Sequence, residues 1–289
     1  MHAAQATSAA RPTIAPLARE VWTPLGRWSY TVHGQRRRPG DLDVLLLHAL
    51  FLDSGSWRDQ VEPLAELGRV VVLDMPGHGR SEVPPPFDLA RQADALAFAL
   101  PAMDVRRAVC VGSSWGGTLA IHLALRHPAC VAGLALLGSG AEAQARHRKA
   151  RFRLLLGIVA SFGLSPWLAR TQIAPLMFAA RSRRERPELV EVFVESATAV
   201  PGEALIRAAR AVAIEQPDVL GRLGSLKVPA LVVCGGADAG YQRALSERMA
   251  RAIPGARLEW VEGAGHLSQL ERPEAVNRLL VPFVADILG

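Results

Sequence analysis

At 289 residues, half of them apolar and about a fifth charged, the chain can bury one sizeable core plus an insertion, and it is too apolar to be disordered as a whole. Its net charge of +6 comes from 31 arginines and only two lysines, Lys149 and Lys227, and +5 of it falls within residues 141–217, where 12 Lys and Arg face 7 Glu. No recognition helix or aromatic-interleaved basic stripe accompanies this charge, which excludes a nucleic-acid partner, and no apolar stretch reaches the ~20 residues of a bilayer span, which excludes a membrane partner.

The first twenty residues, MHAAQATSAARPTIAPLARE, lack a basic start followed by a continuous apolar run. They predict a flexible tail (1–20) rather than a secretion signal, and a cytoplasmic protein. Beyond them RWSYTVHGQ (27–35) predicts an antiparallel edge hairpin. Then come DVLLLHAL (43–50), RVVVLDMPG (69–77), AVCVGSS (108–114), VAGLALLGSG (131–140), PALVVCGGAD (229–238) and ARLEWVEGAGH (256–266). Their apolar residues are continuous rather than alternating, which predicts strands buried on both faces. Between them FDLARQADALAFALPAM (87–103), GGTLAIHLALRHP (116–128) and RALSERMARAIPG (243–255) have helical spacing and stop at Gly or Pro. The alternation predicts an α/β fold with a mostly parallel sheet flanked by helices.

Residues 141–217 interrupt that alternation with Arg-rich amphipathic pieces, punctuated by Gly163, Pro166, Pro175, Pro187, Pro201 and Pro217. Helices inserted there between two strands predict a cap (141–217) on a core formed by 21–140 and 218–289. If the arginines face a pocket, anionic substrates are preferred. Cys110, Cys130 and Cys234 have no metal-ligand spacing and read as small core residues in a reducing compartment.

The joint VCVGSSWGGTLAIHLAL (109–125) sets a serine on a predicted strand-to-helix corner. A nucleophile on such a sharp turn has strained backbone, and its neighbours two residues away must be small. Gly112 and Gly116 supply that room around Ser114, and the following helix aims its free N–H groups at the same point. Serine needs a general base, oriented by a third group. His266, in a small-residue loop after the last strand run, and Asp238, just past the run before it, supply both in the order Ser114, Asp238, His266. An oxyanion hole then requires two N–H donors, each worth about 3 kcal/mol. They are assigned to Trp115, which follows the nucleophile, and to Leu50 in LLLHALFLDSGSW (45–57).

Taken in order, LLLHALFLDSGSW, VVVLDMPGHGRSE (71–83), GSSWGG (112–117) and GAGHLSQLERPEAVN (263–277) resemble the α/β-hydrolase superfamily over residues 27–287. The chain is most similar to small capped esterases and lactonases of the group that includes the 3-oxoadipate enol-lactonases. The resemblance implies an eight-stranded sheet and a cofactor-free, metal-free serine esterase or lactonase acting on small molecules as a monomer or homodimer. It also leaves open C–C hydrolysis of ring-cleavage diketones, perhydrolase or acyltransferase activity, and a non-catalytic ligand receptor on the same fold. One departure is His48-Ala49, where the family usually has His-Gly; the methyl group restricts φ and predicts a narrower or shifted loop.

Other polar residues have local readings. Asp74 and Glu142 also end strand runs, yet read as turn residues more than as the acid. His48 and His78 read as hydrogen-bonding partners, and His122 and His127 as helix packing. The substrate pocket is assigned to His48, Phe51, Trp167, Met177, Phe178 and Leu267.

Overall fold

The computed structural model describes residues 17–38 and 40–289. Eight strands, β1 (Arg19–Thr23), β2 (Gly26–His33), β3 (Asp43–Leu47), β4 (Val70–Leu73), β5 (Ala108–Ser113), β6 (Val131–Leu137), β7 (Ala230–Gly235) and β8 (Arg257–Val261), form one sheet. Its order is β1-β2-β4-β3-β5-β6-β7-β8. β1 pairs with β2 and β2 with β4 antiparallel, and every other pairing is parallel. β3 to β7 are buried along their whole length, as continuous apolar runs require when helices cover both faces.

The hairpin begins earlier than the sequence predicts. β1 contains Arg19 and Glu20, inside the expected tail, and only its Val21 is buried, so its five residues carry no apolar run to read. Residues 1–16 of that expected tail lie outside the described residues.

Helices α1 (Arg58–Ala65), α2 (Leu89–Ala99) and α3 (Trp115–Arg126) lie between the first strands. From β6 to β7 the chain is helical: α4 (Arg146–Phe162), α5 (Pro166–Leu168), α6 (Ala174–Met177), α7 (Ala180–Glu185), α8 (Pro187–Ala199) and α9 (Gly202–Ala209). Single π-helical turns at Ala169–Ile173 and Arg210–Ile214 interrupt this stretch. Proline at the start of α5, α6 and α8 explains its broken pattern, because Pro fits a first turn and not an interior. α10 (Gly240–Ala252), α11 (Ser268–Glu271) and α12 (Pro273–Leu288) complete the chain.

On one face of the sheet Trp57, Leu64, Val276, Leu280 and Val284 pack on Val44, Leu46, Val109 and Val111. The other face packs residues of α2, α3 and α10, among them Leu96, Leu119 and Met249, on Leu45, Cys110 and Val232. The helices between β6 and β7 build a third cluster around Ile173, Phe178, Phe193 and Leu205, joined by Ala49, Phe51 and Leu52 after β3 and by Leu267 and Leu270 after β8. Those loops lie at the carboxyl ends of the strands, where open α/β sheets hold their ligands. Among the described residues no helix is long and apolar enough to cross a membrane.

Candidate active site

β5 runs straight into α3 with Ser114 alone between them at φ 49° and ψ −109°, a conformation that L-residues avoid. A hydrogen bond of 2.7 Å from its N–H to the Leu137 carbonyl holds it there. The glycines make the corner possible through close approaches. A Cβ on Gly112 would lie 2.3 Å from the Gly117 nitrogen, one on Gly116 2.0 Å from the Leu47 carbonyl oxygen, and one on Gly117 1.9 Å from Ser139 Oγ. Gly117, which the Gly-x-Ser-x-Gly pattern does not include, is crowded too, though by a side chain rather than by backbone at such close range.

His266 Nε2 lies 2.9 Å from Ser114 Oγ, and its Nδ1 lies 2.9 Å from Asp238 Oδ2. The β7 and β8 exits are tied together to bring this about: Gly236 and Ala237 donate N–H groups to the Val261 and Ala264 carbonyls, both at 2.8 Å. Gly235 admits the approach, since a Cβ there would sit 2.0 Å from the Gly265 oxygen. The Ala239 N–H at 2.7 Å fixes the other Asp238 oxygen. Burial is the largest influence on His266 and favours its neutral form. The Asp238 charge and hydrogen bond, with Glu271 beyond them, outweigh it, so the ring's pKa stands above the ordinary imidazole value.

Glu271 is fully buried and was not singled out in the sequence. One oxygen accepts the Gly265 N–H at 2.7 Å and the other the Ala179 N–H at 2.9 Å, so a single carboxylate ties the histidine loop to the start of α7. Burial raises its pKa above the usual carboxylate range against the pull of these donors. In the sequence it stands five positions after His266, in HLSQLE, a mixed stretch that gives it no distinguishing mark.

The backbone N–H groups of Leu50 and Trp115 have no acceptor among the described residues. Leu50 borders the same cavity as Ser114, and Trp115 is the first residue of α3, whose opening N–H groups have no intrahelical partners. Positive φ falls on Phe51, at 72°, rather than on Ala49, so the strain that His-Ala suggested is carried two residues later.

The cavity over Ser114 has a volume of about 110 Å³. Phe51 and Met177 line it. The four other residues assigned to the pocket, His48, Trp167, Phe178 and Leu267, are not among its lining. His48 is fully buried beneath Trp115, donating from Nδ1 to the Ala49 carbonyl and accepting the Met75 N–H at Nε2, each at 2.8 Å. Trp167 is 66% exposed on the outer surface. Phe178 packs on Phe193 and Leu267 in the third cluster, away from the cavity. The lining adds Thr118, Phe152, Gln144, Gln216 and Gln242, residues of four separate segments that no local motif marks. Among the described residues no arginine lines it. Five arginines of 141–217 instead pair with nearby glutamates: Arg170–Glu191, Arg181–Glu185, Arg186–Glu188, Arg207–Glu203 and Arg210–Glu215.

The alternative acids are accounted for. Asp74 accepts the Ser54 and Arg80 N–H groups across the turn after β4, and Glu142 pairs with Arg248. His78, with its pKa lowered to about 3 by burial, is no base at neutral pH. Among the described residues no group of three or more His, Cys, Asp or Glu is placed to hold a metal ion.

The family described as alpha/beta hydrolase fold matches residues 44–273, and the chain belongs to it as a hydrolase of that family. It is 26% identical over 259 residues to 3-oxoadipate enol-lactonase 1 of Acinetobacter baylyi, covering 90% of this chain and 93% of that one. A thermophilic esterase from Thermogutta terrifontis superposes with a TM-score of 0.85 at 28% identity, covering 94% of this chain and all of the other. Est816, described as an N-acyl homoserine lactone degrading enzyme, superposes with a TM-score of 0.77 at 31% identity, covering 92% of this chain and 100% of that one.

Proposed function

We propose that the protein is a serine hydrolase of small to medium carboxylic esters or lactones, working through an acyl-enzyme. The supporting observation is the unbroken hydrogen-bonded line from Asp238 through His266 to Ser114, each link 2.9 Å long. In this reading His266 takes the Ser114 proton as the hydroxyl oxygen attacks the substrate carbonyl. The Leu50 and Trp115 N–H groups bind the oxygen as it becomes negative, and Asp238 stabilises the imidazolium. His266 then protonates the leaving alcohol, and a water activated by the same ring hydrolyses the ester on Ser114. No step needs a metal or a nucleotide. The helices of 141–217 serve as the cap, because Met177, Phe152, Val212 and Ala213 close the cavity from that side. The neutral lining argues against the preference for anionic substrates that an inward-facing arginine set would impose.

The test is hydrolysis of p-nitrophenyl acetate, butyrate and octanoate by the wild type and Ser114→Ala, with mass spectrometry after a fluorophosphonate probe. The expected result is turnover that falls by about 10⁴-fold or more in the variant, and one adduct that disappears with it. Labelling without turnover of any ester would favour acyl transfer or C–C hydrolysis. Absence of both would overturn the reading and leave the non-catalytic receptor.

A further inference from the structure

Gln216, which follows the last π-helical turn of the cap, and Gln242, in α10 of the core, both border the cavity over Ser114 and are about 95% buried. Each has its amide nitrogen committed. Gln216 Nε2 donates to the Gly140 carbonyl at 3.0 Å and Gln242 Nε2 to the Ser139 carbonyl at 2.9 Å. A carbonyl accepts only from a donor, so these partners fix which end of each side chain is nitrogen. They leave each Oε1 without a partner among the described residues, and neither oxygen belongs to the sealed, unpartnered atoms of the interior. Two immobilised acceptors thus border a cavity whose one titratable lining residue, among the described residues, is His266.

Resting on the hydrolase reading above, we propose that Gln216 and Gln242 are specificity determinants that select a neutral ester or lactone bearing a hydrogen-bond donor, such as an amide N–H, over an analogue without one. The carbonyls that hold them belong to the loop after β6, whose Gly138 lies against His266: a Cβ there would be 3.3 Å from the ring. Thr118 Oγ1 donates to the Gly140 carbonyl as well. The acceptors are therefore fixed relative to the proposed base before substrate arrives. A substrate lacking the donor would strip water from an acceptor oxygen without replacing its hydrogen bond, the situation in which discrimination is strong. The absence of arginine from the lining disfavours a carboxylate at this position, since glutamine oxygens would repel it.

The test compares the pH-stat opening of α-acetamido-γ-butyrolactone with that of α-(2-oxopropyl)-γ-butyrolactone, in which one N–H becomes CH₂ while size and charge are kept. Because ring acyl and alcohol are one molecule, the comparison does not depend on which of the two the cavity holds. After division by the hydroxide-catalysed rates, kcat/KM should favour the amide by about tenfold or more. That ratio should fall towards one in Gln216→Met and Gln242→Met, whatever becomes of the absolute rates. Equal values in the wild type would overturn the proposal, leaving the two amides as braces of the β6 loop. Opening of neither lactone overturns it too. In that case fluorophosphonate labelling of Ser114 keeps the serine hydrolase reading alive, and absence of labelling removes both.

Discussion

In the proposed reaction, Asp238 and His266 are where single side chains decide the chemistry. The ring's pKa is raised in the fold, and only the neutral ring accepts a proton, so the acid limb of kcat/KM should lie above the ordinary imidazole value of about 6.5. Asp238→Asn removes the charge that raises it. The limb should move to lower pH while kcat drops by about 10⁴-fold, and a pH–rate profile of the two proteins reads both. The same shift has a stability sign: the paired His266 stabilises the fold fully below the unfolded pKa, and that contribution is lost as pH rises through the folded one. Glu271 has a different role. Glu271→Gln keeps one acceptor and points an NH₂ at a backbone N–H, leaving Gly265 or Ala179 unpaired in the interior at a cost of about 1–3 kcal/mol. Urea unfolding should show the loss. Residues of this second kind escaped the sequence because their partners are backbone groups of a distant segment, whereas Ser114, Asp238 and His266 each stand at a strand exit that apolar runs mark.

Elements meet here through glycine. β3, β5 and α3 approach so closely that Gly116→Ala would drive a methyl group into the Leu47 carbonyl, and backbone on both sides cannot yield without moving strands. A fall of about 2 kcal/mol or more in unfolding free energy is expected from denaturant midpoints. Gly157, within α4 and facing open space, is the control: Gly157→Ala should stabilise by about 0.5–1 kcal/mol through helix propensity alone. The same contrast explains what could be read in advance. β3 to β7 and α2, α3 and α10 announce themselves because burial on both faces demands continuous apolar runs and one-sided burial demands helical spacing. β1 does not, since an edge strand with Val21 as its one buried residue has no pattern to show. The short helices from α5 to α7 are equally opaque, because π-helical turns and prolines break the period on which such readings depend.

Across the whole molecule, the alternation of strands and helices along the chain was legible, and the order of the strands in the sheet and the inner surface of the helices between β6 and β7 were not. Arginines dominate the sequence of 141–217, yet several of them pair with glutamates at the surface, while glutamines and apolar residues line the cavity over Ser114. Composition averages over a helix, and only packing says which side is inside. Phe51, in the turn that carries the Leu50 amide, lies 6.0 Å from Phe193 of α8, and Phe193 lies 5.5 Å from Phe178. One of the proposed oxyanion donors is therefore carried by a turn that packs on the helices of 141–217 as well as on the sheet. A displacement of those helices would bear on that amide as well as on the cavity, so the packing couples the proposed oxyanion hole to the elements that cover it.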